Sequence, residues 1–175
     1  MTQLPILPIL LPLLGGALSL LVEHRRIGTV VQRSVAWTFM LATLLASVLL
    51  VMRAHDGNVL VYLLGDWPAR IGIALMVDRL SALMVLATSL LGVACLLHAC
   101  SGWDRRAPHF HALFQLQLMG LNGAFLTGDL FNLFVFFEVM LIASYGLMLH
   151  GSGVARVRAG LHYIAINLAT SSLFL

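Results

Sequence analysis

The sequence predicts an all-α integral membrane protein: a polytopic bundle with six transmembrane helices and one extramembrane β-hairpin. Three observations carry that reading. Hydrophobic residues make up 61% of the 175-residue chain and charged residues 10%, against roughly 45–50% and 25% in soluble domains. Mean hydropathy is +0.99, and polar residues punctuate the chain near the roughly 20-residue interval that one helical crossing of a bilayer requires. The ten basic residues are all arginine, and seven of them gather on alternate links as topology signals do, not in one patch of the kind that binds nucleic acid.

The apolar runs place helices at about 4–22, 30–52, 79–101, 111–127, 129–149 and 159–175, in a single membrane domain, 1–175. The first, "MTQLPILPILLPLLGGALSLLVEHRR", carries its positive charge after the apolar stretch. That order is the reverse of a secretory signal, so a retained helix is expected, with Pro5, Pro8 and Pro12 loosening its opening turns. Residues 53–78 contain two short alternating or β-branched runs flanking "GDWP", a turn signal, and form the expected hairpin. The forty residues from His111 to His150 are too long for one crossing and divide at "TGDLFN" into the fourth and fifth helices. The sixth, "AGLHYIAINLATSSLFL", runs to Leu175 without a charge or cap and reads as a helix cut short.

Arg25, Arg26 and Arg33 flank the first link, Arg105 and Arg106 the third, Arg156 and Arg158 the fifth. An arginine excess marks the cytoplasmic side, which puts the N-terminus and the hairpin outside. On the other side Arg53, Arg70 and Arg79 are offset by Asp56, Asp66 and Asp78. Cys95 and Cys100 lie five apart in one apolar segment, where a helix points them about 140° from each other, so no disulfide is expected.

One carboxylate, Glu138, stands inside the fifth apolar run. It lies ten residues past Gly128, about 15 Å deep and near the middle of a core of about 30 Å. A carboxylate there costs at least about 2.5–3.5 kcal/mol on insertion scales, so it must be partnered or protonated, and such groups are functional by default. Two readings stand open: a proton carrier, and a neutral residue that hydrogen-bonds a neighbouring helix. Phe131, Phe134, Val135, Leu141, Ile142 and Tyr145 share its face, Tyr145 bringing the only hydroxyl.

On the sixth helix Tyr163, Asn167 and Thr170 form a polar stripe with Ser171 beside it, and His162 lies nearer the arginine end. His162, Tyr145 and Asn167 are the candidate proton path; an interfacial, headgroup-contacting His162 is the alternative. Asp129 and Asn132 are expected to be structural, Asp129 capping the fifth helix. Gln115 and Asn122 should bond between helices, and Gly120, Ala124 and Gly128 make a small-residue ridge. Cys95, His98, Cys100, His109 and His111 are metal-ligating types in a spacing that matches no closed zinc site. No phosphate loop, dinucleotide fingerprint, nucleophile elbow or thiol redox motif occurs, so neither metal nor cofactor is expected.

The stretch "GDLFNLFVFFEVMLIASYGLML" resembles the fifth transmembrane helix of the D-type subunit of the Mrp-type multisubunit monovalent cation/proton antiporters. "YLLGDWPARIGIALMVDRLSALM" resembles that family's hairpin and third helix, and "HYIAINLATSSLFL" its sixth. The resemblance implies a fold of about fourteen helices with inverted repeats, of which this chain holds an N-terminal part. It also implies that Glu138 is the essential helix-five glutamate, paired with a lysine on a seventh helix. The implied function is proton translocation in a cation/proton antiporter of the bacterial inner membrane, a secondary transporter rather than an enzyme. Its implied partners are the other antiporter subunits, the lipid bilayer, protons and a monovalent cation, sodium being the one expected. Related subunits of respiratory complex I and of membrane-bound hydrogenases share an "FVFFE" setting. A proton-pumping subunit of an NADH–quinone oxidoreductase or hydrogenase is thus one alternative, and a structural membrane scaffold another.

Overall fold

The computed structural model describes residues 3–55, 57, 59–67, 72–151 and 153–174. Six α-helices follow one another: α1 (Leu7–His24), α2 (Thr29–Ala54), α3 (Arg79–Ala99), α4 (Phe110–Leu126), α5 (Leu130–Leu149) and α6 (Val154–Phe174). Between α2 and α3 lies an antiparallel pair, β1 (Leu60–Leu63) and β2 (Ala74–Val77), in the register Leu60↔Val77 to Leu63↔Ala74. The spans Leu4–His24, Thr29–Ala54, Arg79–Ala99 and Leu130–Leu149 are long and apolar enough to cross a membrane.

The six predicted helices and the strand pair are present, with shifted ends, but α4 and α6 are not among the spans long and apolar enough to cross a membrane. A 3-10 turn, Leu4–Ile6, precedes α1, and α6 begins at Val154 rather than 159. Arg156 and Arg158 therefore sit inside the helix, where long stems let guanidinium groups reach water from an apolar helix. Of the central "GDWP" only Gly65, Asp66 and Trp67 lie within the described backbone, Gly65 taking a left-handed φ of 66°; Arg70 lies outside the described residues.

Helix α4 is the hub, packing against α1, α2, α3 and α5, while α6 packs on α5. Proline chemistry fixes one of these contacts. Pro12 has no N–H to offer the carbonyl four residues back, and that carbonyl, Pro8 O, accepts from Asn122 Nδ2 at 2.8 Å. Gln115 Nε2 likewise donates to Ala36 O at 3.1 Å. Both amides are fully buried and link helices as expected.

The small-residue ridge is split between two neighbours. A Cβ on Gly120 would lie 2.9 Å from the Met140 nitrogen of α5, and one on Gly123 would meet the Phe136 ring. Gly128 instead seats the hairpin, its N–H donating to Ala74 O at 2.9 Å. At Gly123 the obstacle is a side chain, whereas at Gly120 it includes backbone, which cannot change rotamer. Gly120→Val is therefore expected to cost about 1–3 kcal/mol by overpacking; thermal unfolding of the purified complex checks it, and an unchanged midpoint would contradict this packing.

At the opposite end, side chains tie the arginine-rich links together. Arg33 Nε and Nη2 donate to Asp104 Oδ2 and Oδ1 at 2.7 and 2.8 Å. His111 Nε2 lies 3.2 Å from Asp104 Oδ2, and Glu23 on α1 accepts from the backbone N–H of His109. The arginine-bearing links thus cluster at one end of the bundle, away from the hairpin and "TGDLFN".

Candidate functional site

Helix α5 owes its start to Asp129, whose Oδ2 accepts from Asn132 N at 3.1 Å. Asn132 Nδ2 in turn donates to Thr127 Oγ1 at 3.0 Å. The expected cap is present, and it fixes where along α5 each side chain falls. Glu138 then stands close to the middle of the helix, half-buried, turned toward α6.

Between α5 and α6 runs a cleft of about 340 Å³, lined by Phe134, Phe137, Glu138, Met140 and Leu141 from α5 and by Asn167, Thr170 and Ser171 from α6. Ser171 Oγ donates directly to Glu138 Oε1. Asn167 Nδ2 is buried and makes no hydrogen bond among the described residues. The cleft thus brings one carboxyl group, two hydroxyls and an amide into otherwise apolar walls. A hydroxyl can donate to a carboxylate and accept from a carboxylic acid, so Ser171 can stay bonded to Glu138 in both protonation states.

Of the predicted path, Asn167 lines this cleft. Tyr145 does not; its ring stands edge-on to Tyr163 at 5.4 Å, while Tyr163 Oη lies 3.4 Å from Ser144 Oγ. Nor does His162, which is exposed and holds Nδ1 2.9 Å from Arg158 O. Nine residues from Ser171, it points to the opposite side of α6, about 180° away. Phe134 and Leu141 join Glu138 as expected, but Phe131 and Ile142 are 68% and 63% exposed. Glu138 lies at the rim of the α5 face that meets α6, so its neighbours on one side only are covered.

Sequence reasoning places Ser171 beside the polar stripe but gives it no role. A polar side chain four residues beyond Asn167 on one helical face is the available signal; the register of α6 against α5 is not. The metal-ligating types are scattered by the fold. His109 and His111 pair with Glu23 and Asp104, Cys95 and His98 line an apolar groove, and both cysteines are free.

No family model matches the chain. Known relatives do: it is 52% identical over 178 residues to the D-type subunit of a probable K(+)/H(+) antiporter of Rhizobium meliloti, aligning over 99% of this chain and 33% of that protein. It is 41% identical to the D-type subunit of a Na(+)/H(+) antiporter of Alkalihalophilus pseudofirmus, over 100% of this chain and 35% of the relative. The chain is a homologue of the D-type antiporter subunits. It spans about a third of the length of the relatives it matches. Solved structures extend the likeness. A chain of the Mrp complex from a Dietzia species superposes with a TM-score of 0.83 at 38% identity, over 98% of this chain and 33% of that one. A chain of an archaeal respiratory complex, the membrane-bound sulfane sulfur reductase, superposes at 0.90 with 26% identity, over 98% and 35%.

Proposed function

We propose that the chain is part of a proton-translocating subunit of a multisubunit monovalent cation/proton antiporter in the bacterial inner membrane, with Glu138 as the proton carrier. The observation that carries the proposal is the Ser171–Glu138 hydrogen bond inside a cleft whose α5 wall is otherwise apolar. A carboxyl near the middle of an apolar helix is held there by a group able to serve both of its protonation states. The 175 residues contain no lysine, so the basic partner that the resemblance implies for Glu138 comes from outside them.

The relatives' names divide between potassium and sodium, and the cleft offers oxygen donors that suit either. The deciding assay is dye-detected ΔpH in everted vesicles holding the complete complex, with potassium or sodium added. Dissipation of ΔpH by one of them identifies the exchanged cation; response to neither would refute antiport. The likeness to a respiratory complex keeps an oxidoreductase membrane arm as the second reading, for which substrate oxidation rather than a cation gradient drives proton movement.

The arginine-rich end is assigned to the cytoplasm and the hairpin to the periplasm. Val59 and Val154, 52% and 84% exposed, stand near opposite ends. With Cys95 and Cys100 replaced by serine, Val59→Cys should react with an impermeant maleimide in intact cells, and Val154→Cys only after lysis. The opposite pattern would invert the topology.

A further inference from the structure

At the arginine-rich end two guanidinium groups from different elements converge on one indole. Arg106 Cζ lies 4.4 Å and Arg156 Cζ 5.3 Å from the centre of the Trp103 ring. Arg156 also donates to His150 O, and His150 Nε2 lies 3.0 Å from Trp103 O. Among the described residues neither arginine has a carboxylate partner: Asp104 is engaged by Arg33 and His111, and Glu23 by His109. Like charges held close without a counter-charge repel, unless an anion joins them.

Beside this pair opens an apolar groove of about 430 Å³. It reaches from Trp103 down between α3, α4 and α5, lined among others by Cys95, Ala99, Phe110, Phe114 and Leu147. Tryptophan is enriched at the level of lipid headgroups, and basic pockets between transmembrane helices on the cytoplasmic side take acidic headgroups. Charge above and an apolar channel below are the two halves of a phospholipid.

We propose that this end of the protein binds an anionic phospholipid. Arg106 and Arg156 hold the phosphate beside Trp103, and one acyl chain lies in the groove along Leu147 and Phe114. The proposal rests on the cytoplasmic placement of the arginine-rich end, but its test reads lipid directly and depends on neither topology nor transport.

The complete complex in detergent is loaded with phosphatidylglycerol or phosphatidylcholine, and retained lipid is counted by native mass spectrometry. Preferential retention of phosphatidylglycerol is expected. The double variant Arg106→Gln/Arg156→Gln should weaken that retention about tenfold or more, given about 1 kcal/mol per arginine near a charged surface. Leu147→Trp, which fills the groove and keeps both arginines, should weaken retention of both lipids. Equal retention of the two lipids by the wild type, or unchanged phosphatidylglycerol retention in the arginine variant, would overturn the headgroup assignment. Unchanged retention in Leu147→Trp would overturn the groove. Displacement of the phosphatidylglycerol by millimolar inorganic phosphate would show a site for free anions instead.

Discussion

Glu138→Gln in the complete complex is expected to lower proton exchange in everted vesicles by about 100-fold or more, the scale on which removal of a proton-transferring group acts. Glutamine keeps the size of the side chain and an oxygen for the Ser171 hydroxyl, so α5 and α6 stay docked. What it loses is the ability to take up and release a proton. Ser171→Ala makes the complementary case, since it leaves the carboxyl in place and removes its partner. One hydrogen bond to a charged group is worth about 1.5–3 kcal/mol, so exchange should fall about tenfold without disappearing. The scaffold reading predicts the reverse order: Glu138→Gln retains exchange and at most lowers the amount of assembled complex. Running the assay beside an immunoblot of each variant separates the two, and full exchange in Glu138→Gln at normal abundance would remove Glu138 as carrier.

The contrast between Glu138 and Ser171 shows what the chain reveals before folding. A lone carboxylate in an apolar helix is conspicuous because its cost is local, set by bilayer depth. The Asp129 cap is legible for the same reason, its partner Asn132 lying three residues on. Local rules also give the hairpin, whose two strands are neighbours in sequence. The Glu138–Ser171 contact joins residues 33 apart in sequence, and only the packing of α6 on α5 decides which of several hydroxyls arrives. His162 illustrates the converse: it shares a helix with Ser171, yet its side of α6 is turned away from the cleft. Charge is a poor marker of a helix end, as at α6, whose first turns carry Arg156 and Arg158, because a long arginine stem can extend its guanidinium group outward to water.

The Arg33–Asp104–His111 cluster is the least visible part of the fold, since Arg33 and Asp104 are 71 residues apart, and it yields the second large effect. The Asp104 side chain is nearly inaccessible, at 2%, and accepts from Nε and Nη2 of Arg33 while a ring nitrogen of His111 lies beside it. Deleting the acid by Asp104→Ala leaves a cation facing the helix ends with no partner, and breaking a buried pair in that way costs about 3–5 kcal/mol. Arg33 is 23% exposed, so water can recover part of its charge and the loss belongs at the low end of that range. The bidentate contact from Arg33, above all, holds the Asp104 carboxyl below the usual carboxylate range. Its contribution is therefore complete above the ordinary value of about 3.9 and is lost only as pH falls through the depressed one. Thermal unfolding of the purified complex should show Asp104→Ala less stable than wild type at pH 7, with the gap narrowing under strong acid. Replacing both charges, Arg33→Met with Asp104→Leu, should recover much of the loss, because two apolar side chains leave no charge unpaired. If the double variant is as unstable as the single one, the cluster acts through shape rather than charge, and the electrostatic account of this end fails.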